Sequence, residues 1–503
     1  MDQDEIYDVL VVGAGINGAG IARDAALRDL RVMLVERGDV AGETSSASTK
    51  LIHGGLRYLE HNALTLVRES LAERERLLQL AAHLVTPLRF VIPRDESMRP
   101  GWQIRAGLWL YDHLGGGSSL PASGARRLER TPEGDALKNP GGGFFYYDLA
   151  TNDARLTLAN VCGAVEAGAD FLPRTAFLRA STRDGIWQVD LSDGRTVSAR
   201  ALVNAAGTGA AALRAGLTGN PGSTRLRFVQ GSHIVVPKLY PGDHAYLLQQ
   251  PDRRVVFVIP WEQRYSLIGT TEVPLVQPDN AGVTDAEVYY LCDAVARFLS
   301  APIAPRDIVW RYAGVRALVD DGNAEASAVS REYRLIEDSI GTAPLVSVYG
   351  GKLTTYRMLA ERVVDALVPS FPGMGECRTR NLPLPGAEDL PPGGLEELVA
   401  RLCIDHPRLP LEWLAALARR HGTRARQVVG KVQRSSELGR NFGGGLYERE
   451  VRWMLRHEWA VRPDDFLWRR THCGLDMDES QRANFADWLA KHSSQDAESE
   501  AGG

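Results

Sequence analysis

VLVVGAGINGAGIARDAALRDLRVMLVE, residues Val9 to Glu36, is the stretch whose reading decides the fold. Val9-Leu10-Val11-Val12 is a short, continuous apolar run, the pattern of a strand buried on both faces of a parallel sheet. The chain then turns at Gly13-Ala14-Gly15-Ile16-Asn17-Gly18, enters an alanine-rich helix and returns as a second apolar run, Val32 to Val35, ending on Glu36. That order is a βαβ dinucleotide fingerprint. Gly13 permits the tight turn, Gly15 lets a pyrophosphate approach the backbone, and Gly18 lets helix and strand pack closely. Ile16 and Asn17 open the helix, whose free N–H groups and positive end favour phosphate. Glu36 is placed to accept from ribose hydroxyls and would repel a further phosphate there.

Composition bounds what surrounds this unit. A chain of 503 residues, 44% hydrophobic, can bury a large core divided among two or three domains. It has no apolar run of the ~18 residues that a membrane-spanning helix needs. The fingerprint begins within ten residues of Met1, so the sequence predicts no leader ahead of it. Five scattered cysteines, none in CxxC or at metal spacing from a histidine, predict a reduced cytoplasmic setting and no metal. A net charge of only −5 argues against nucleic-acid binding.

Immediately beyond the fingerprint stands TSSASTKLIHGGLRY, Thr44 to Tyr58. Its hydroxyls (Thr44, Ser45, Ser46, Ser48), with Lys50, Leu51, His53, Gly54 and Gly55, suit the wrapping of a polar, extended cofactor. A capping, Ser/Thr-rich surface loop would account for the serines alone. It accounts poorly for the glycine pair, arginine and tyrosine that follow. Two later segments extend the nucleotide domain. Ala201-Leu202-Val203-Asn204-Ala205-Ala206-Gly207 is an apolar strand ending in small residues, with Ala205 and Gly207 allowing close backbone approach. Leu345 to Tyr349 reads as a strand leading through Gly350-Gly351-Lys352 into a helix near Leu353-Thr354, which aims a helix N-terminus at an electron-rich group. A nucleotide domain dispersed over about 370 residues favours FAD over NAD, whose fold runs through contiguous βαβ units.

TSSASTKLIHGGLRYLEH (Thr44 to His61), GSHIVVP (Gly231 to Pro237), FVIPW (Phe257 to Trp261), IGTTE (Ile268 to Glu272) and YGGKLTTYR (Tyr349 to Arg357) resemble the aerobic, quinone-linked FAD-dependent glycerol-3-phosphate dehydrogenases. The resemblance spans most of the chain. One departure is Gly207-Thr208-Gly209-Ala210, where the family usually reads Gly-Pro-Trp. That puts local packing beside the flavin domain in question, not the chemistry.

The expected fold is α/β: a Rossmann-like FAD-binding domain, an antiparallel β-sheet substrate domain and a C-terminal α-helical domain. The FAD domain is assigned to 1–75, 150–215 and 340–385, the substrate or cap domain to 76–149 and 216–339, the helical domain to 386–492, and a disordered tail to 493–503. Alternating patterns at Ser232–Val236, Arg254–Ile259 and Tyr265–Gly269 predict the antiparallel sheet. The glycine-rich runs at 115–119 (Gly115-Gly116-Gly117-Ser118-Ser119) and 141–143 read as mobile loops. Residues 401–470 hold 15 Lys/Arg against 8 Asp/Glu, either a solvated basic face or a cap meeting acidic lipid or a partner chain.

A phosphorylated three-carbon substrate needs cations, and arginine matches phosphate oxygens bidentately. The candidates are Arg57, Arg316, Arg331 and Lys352; by the resemblance all four line the pocket, joined by Tyr58, His233 and Thr270. Oxidation at C2 requires a hydride acceptor, the flavin, and a base for the hydroxyl proton. His233 is the natural base, because imidazole titrates near neutral pH; the plain alternative is a histidine satisfied by backbone at a strand start. Lys352 and Arg57 would polarise the developing carbonyl oxygen, while Arg316 and Arg331 hold the phosphate. Glycerol 3-phosphate, a membrane quinone and a peripheral position on the inner face of the cell membrane are what the resemblance implies. Homodimerisation is compatible with the sequence without being specified by it.

The stretch from Arg99 to Leu110 (RPGWQIRAGLWL) brings Trp102, Arg105, Ala106 and Trp109 near one helical face. It reads either as a buried helix with two core tryptophans or as an interfacial one. The helix Arg357–Arg362 is another candidate membrane surface. Three rivals compete with this reading: an oxygen-using oxidase on the same fold, disfavoured by the compact centre of the chain; an amine or amino-acid oxidase, which needs no such set of four cations; and a flavin-bearing sensor, which needs no hydroxyl base.

Overall fold

The structure, a computed structural model, describes residues 6–61, 63–95, 100–219, 225–320 and 332–498, without the side chains of Arg57, Glu60, His61 and 493–498. Five strands form the parallel heart of the first sheet, in the order Ala343–Tyr349, Thr196–Asn204, Tyr7–Val12, Val32–Val35 and Asp170–Leu172. Val9 is aligned with Val32 on one side and Ala201 on the other. The helix Ile16–Leu27 is alanine-rich because it is buried on nearly every side, between Asp153–Glu166 and Tyr356–Asp365. A Cβ added at Gly18 would stand 1.8 Å from the Gly13 carbonyl oxygen, so only glycine lets this helix rest on the turn that precedes it.

The strand Arg334–Ile340 corrects one expected boundary. Sequence patterning assigned most of it to the substrate domain. It pairs antiparallel with Ala343–Tyr349 at the edge of the flavin sheet, because the two-residue turn at Gly341 (φ +61°) closes a hairpin. Conversely Leu51–Ile52, placed with the flavin segments, pairs with Gly142–Thr151 in the second sheet.

That second sheet runs Val273–Leu275, Leu226–Pro237, Tyr265–Gly269, Val255–Trp261, Ala245–Gln249, Val85–Pro93, Gly142–Thr151 and Leu51–Ile52, with Trp310–Val319 also on Leu226–Pro237. All of these pairings are antiparallel except Ala245–Gln249 with Val85–Pro93. The expected glycine loops are more ordered than their composition suggests. Gly142 and Gly143 open a strand, and Ser118 and Ser119 donate to Glu75.

The helix Gly101–Leu114 buries Leu108 and Tyr111 and turns Trp102 and Trp109 outward, 70% and 61% exposed. The buried-core reading of those tryptophans is thereby overturned. Among the described residues no helix is long and apolar enough to cross a membrane.

The C-terminal part is built on the helices Gly394–Asp405, Leu411–His421, Ala425–Val429, Glu448–His457 and Glu479–Glu498, the last carrying helical backbone past Ser493, where the sequence predicts disorder. A few of its arginines turn toward the flavin side. Arg470, 1% exposed, donates twice to Asp39 at 2.8 Å, Arg424 reaches Glu166 at 2.7 Å, and Arg155 answers from the flavin side with 2.7 Å to Glu458. At the junction, then, Arg424, Arg469 and Arg470 are matched by acids of the flavin side, while Arg401, Arg408, Arg426, Lys431 and Arg434 stay on an exposed basic face. Arg357 is likewise buried, held by Glu73 and Glu361, so its helix does not present it to a membrane.

Candidate active site

The nucleotide cradle forms where the Val9–Glu36 unit meets the Thr44 loop and the strand ending at Asn204. Gly13 has φ +104°, and a Cβ there would lie 2.7 Å from the Ala205 carbonyl oxygen. Glu36, half-buried, accepts the Ala14 N–H at 2.7 Å and the Gly38 N–H at 2.8 Å. Burial raises its pKa above the usual carboxylate range, partly offset by those two bonds. Each oxygen keeps a lone pair for ribose hydroxyls. Ser45 Oγ accepts from the Ile16 N–H at 2.9 Å. Around these residues lies a cavity of about 270 Å³ lined by Gly13, Gly15, Glu36, Thr44, Ser45, Ala205 and Gly207.

The distant GGK segment joins the same cradle. Asn17 Nδ2 donates to the Gly350 carbonyl at 3.1 Å, and a Cβ on Gly351 (φ +102°) would press on the Asn17 amide. Asn17 Oδ1 is buried without a hydrogen-bond partner among the described residues, an acceptor aimed into this junction. Thr354 Oγ1 accepts the His53 N–H at 3.2 Å, tying the His53-Gly54-Gly55 turn to Leu353-Thr354. The glycines, the acid and the unsatisfied amide fit a dinucleotide whose far end reaches the Gly350–Thr354 helix start.

Several residues expected at the cofactor also hold the loop together. Lys50, 2% exposed beside Trp261 and Tyr312, donates to Asp153 Oδ1 at 2.7 Å and to the Ser46 carbonyl at 2.9 Å. A buried ammonium needs such a partner, so its side chain is directed away from the nucleotide cavity. Ser48 donates to the other Asp153 oxygen at 2.7 Å. Leu51 is a buried strand residue, and the Gly54 N–H donates to Tyr111 Oη at 2.8 Å.

The substrate side is built on the paired strands Leu226–Pro237, Tyr265–Gly269 and Trp310–Val319. Register sets His233 opposite both Gly269 and Tyr312. The imidazole is 1% exposed, stacked on Tyr312 (centroids 4.9 Å, 15°), with Nε2 3.0 Å from Thr49 Oγ1. Its Nδ1 is buried and has no hydrogen-bond partner among the described residues. Burial, with the charges of Arg316 and Lys50, holds its pKa well below 6.5, so the ring is neutral at physiological pH and able to take a proton. The plain reading, a histidine satisfied by backbone at a strand start, does not describe it. One residue pair earlier, a Cβ on Gly231 would stand 2.6 Å from Thr270 Oγ1 and 2.8 Å from Arg316 Nη2. Hydroxyl and guanidinium therefore converge over bare backbone beside the imidazole. Lys352 Nζ lies 3.7 Å above the Tyr58 ring. Arg331 and the Arg57 side chain lie outside the described residues.

Thr49, Tyr312 and Asp153 were given no role from sequence. Thr49 was hidden among similar hydroxyls, and its partner is 184 residues away. Tyr312 offered a signal, an aromatic four residues before Arg316 on one strand and hence on the same face.

Residues 8–357 match the family model described as FAD dependent oxidoreductase, and 377–498 match the C-terminal domain of alpha-glycerophosphate oxidase. A glycerol-3-phosphate dehydrogenase of Pseudomonas aeruginosa is 46% identical over 492 residues, covering 96% of this chain and 95% of that one. The chain belongs to the FAD-dependent glycerol-3-phosphate dehydrogenase family. The D-erythritol 1-phosphate dehydrogenase of Brucella abortus is 42% identical, over 97% of this chain and 99% of its own. The solved glycerol-3-phosphate dehydrogenase of Bacillus halodurans, complexed with FAD, superposes with a TM-score of 0.77 at 26% identity, covering 98% of this chain and 92% of that one. The enzyme is thus a flavoprotein oxidoreductase whose cofactor is FAD.

Proposed function

We propose that this dehydrogenase oxidises sn-glycerol 3-phosphate to dihydroxyacetone phosphate and delivers the electrons to a membrane quinone. The observation that carries the reading is the convergence of a buried neutral imidazole, a hydroxyl and a guanidinium on Gly231 and His233. FAD, when bound, supplies the hydride acceptor. His233 takes the proton of the C2 hydroxyl; its Nδ1 has no hydrogen-bond partner among the described residues. Arg316 and Thr270 hold the phosphate, Arg331 joins them by the family resemblance, and Tyr58 seats Lys352. Lys352 and Arg57 stabilise negative charge developing on the C2 oxygen. The flavin segments 1–75, 150–215 and 340–385, with the edge strand Arg334–Ile340, carry the cofactor; 76–149 and 216–333, with Leu51–Ile52, cover it; and 386–492 brace the flavin side.

A phosphorylated polyol with a secondary hydroxyl is the shared chemistry of the glycerol and erythritol enzymes, so turnover of the two phosphates decides the substrate. A higher kcat/KM for sn-glycerol 3-phosphate is expected; a reversed ratio would reassign the substrate while keeping the chemistry. The acceptor is decided separately. Without quinone, little peroxide should form, whereas peroxide equal to substrate consumed would make the protein an oxidase.

A lipid-soluble acceptor places the enzyme on the bilayer, on its cytoplasmic face. The outward Trp102 and Trp109, with Arg105 exposed between them, form the surface best suited to the interface.

A further inference from the structure

Glu287 gathers the backbone on which the candidate base and the phosphate-binding hydroxyl are mounted. It stands in the first turn of the helix Asp285–Ala296, 6% exposed, closing a capping box with Thr284. Its Oε1 accepts from Ser232 Oγ at 2.7 Å, Thr271 Oγ1 at 2.7 Å and Gln230 Nε2 at 3.1 Å. Its Oε2 accepts from Gln230 Nε2 at 2.9 Å and the Thr284 N–H at 3.0 Å. Ser232 also donates its N–H to Thr271 Oγ1 at 2.9 Å. Ser232 adjoins His233, Thr271 adjoins Thr270, and Gln230 adjoins Gly231, over which Arg316 and Thr270 meet. One carboxylate therefore holds both flanks of the site from the side away from the substrate.

Burial alone would raise this carboxyl, but the bonds from Thr271, the Thr284 N–H, Ser232 and Gln230 outweigh it and keep it below the usual carboxylate range. A carboxylate offers only acceptors, and this one meets a ring of donors. An amide in the same place brings two N–H donors of its own to face them. The role of the site thus depends on an anion, not merely on a side chain of this size.

We infer that Glu287 is a positioning residue for substrate oxidation, acting through Ser232 and Thr271 to fix His233 against Thr270 and Arg316. The inference rests on the reading of those three residues as the substrate site. Small displacements of reacting groups are costly in rate, up to about a hundredfold for 1 Å, whereas the side-chain bonds of Glu287 among the described residues go to Gln230, Ser232, Thr271 and Thr284 and not to the nucleotide cradle.

The test is anaerobic stopped-flow reduction of the FAD holoenzyme by sn-glycerol 3-phosphate, for wild type, Glu287→Gln, Ser232→Ala and His233→Ala. Glu287→Gln should retain flavin, yet its reduction rate at saturating substrate, per bound flavin, should fall by about tenfold or more, with a raised KM. Ser232→Ala, which leaves the carboxylate its other donors, should show a smaller loss in the same direction. It decides the matter if Glu287→Gln yields no holoenzyme. A lowered melting temperature with wild-type reduction per flavin in both variants would reduce Glu287 to a structural role and overturn the inference. Failure of wild type to be bleached, or full activity in His233→Ala, would instead overturn the underlying assignment of the site.

Discussion

Thr49 Oγ1 and His233 Nε2 lie 3.0 Å apart, joining the loop after the dinucleotide fingerprint to the strand of the second sheet. With Tyr312 stacked on the ring face, this contact fixes the imidazole on two sides, and Nδ1 is left without a hydrogen-bond partner among the described residues. The hydroxyl-rich loop thus serves both halves of the site, Ser45 at the nucleotide cradle and Thr49 at the base.

The pH dependence follows from the burial of that ring. Burial, then Arg316 and Lys50, hold the pKa of His233 well below 6.5 in the folded protein. The acid limb of kcat/KM that His233 governs should therefore fall below pH 6.5 and vanish in His233→Asn. For stability the sign is the same: the unfolded chain takes up this proton near 6.5 and the native state does not. The contribution is complete above that value and lost as pH falls beneath it. A His233-dependent limb above 6.5 would contradict the burial argument.

Arg316→Ala and Arg331→Ala should raise the KM for glycerol 3-phosphate while leaving flavin content near that of wild type. Loss of one charge-assisted contact costs about 1.5–3 kcal/mol, roughly a ten- to hundredfold weakening. Steady-state kinetics on the holoenzyme measure it, and unchanged KM in both variants would remove them from the phosphate site.

The junction between flavin and helical parts should be sensitive to Asp39. Asp39→Ala leaves Arg470 buried without its bidentate partner, and loss of one member of a buried pair costs about 3–5 kcal/mol. A lowered melting temperature is expected, with flavin reduction per bound flavin little changed. An unaltered melt would show that the pairs Arg155–Glu458 and Arg174–Asp465 carry the junction without it.

Trp102→Ser combined with Trp109→Ser should weaken co-sedimentation with anionic liposomes at low salt, with melting unchanged. Wild-type binding itself should decrease as salt rises. Binding by the double variant equal to wild type would move the membrane surface elsewhere.

The fingerprint, the strand before Gly350 and the antiparallel strands around His233 were all legible because their patterns are local: apolar runs, alternation and glycines at fixed offsets. What sequence could not supply was partnership across distance. Lys50 reads as a cation available to a cofactor, and only the fold shows Asp153 in contact with it. Arg424 and Arg470 read as part of a basic surface because Glu166 and Asp39, which face them, come from far earlier in the chain. Trp102 and Trp109 were ambiguous for another reason: helical spacing gives a common face but not whether that face looks inward. Glu287 was invisible, being a common first-turn acid in a capping box.

The central claim is that this site oxidises a phosphorylated polyol at the expense of bound FAD. Its most direct measurement is anaerobic titration of the oxidised holoenzyme with sn-glycerol 3-phosphate, following the visible flavin absorbance and assaying dihydroxyacetone phosphate. The account predicts bleaching with one product molecule per flavin reduced, and bleaching slowed by roughly 10²–10⁴-fold in His233→Ala. A flavin that stays oxidised under saturating glycerol 3-phosphate, or one reduced as fast without His233, would contradict it.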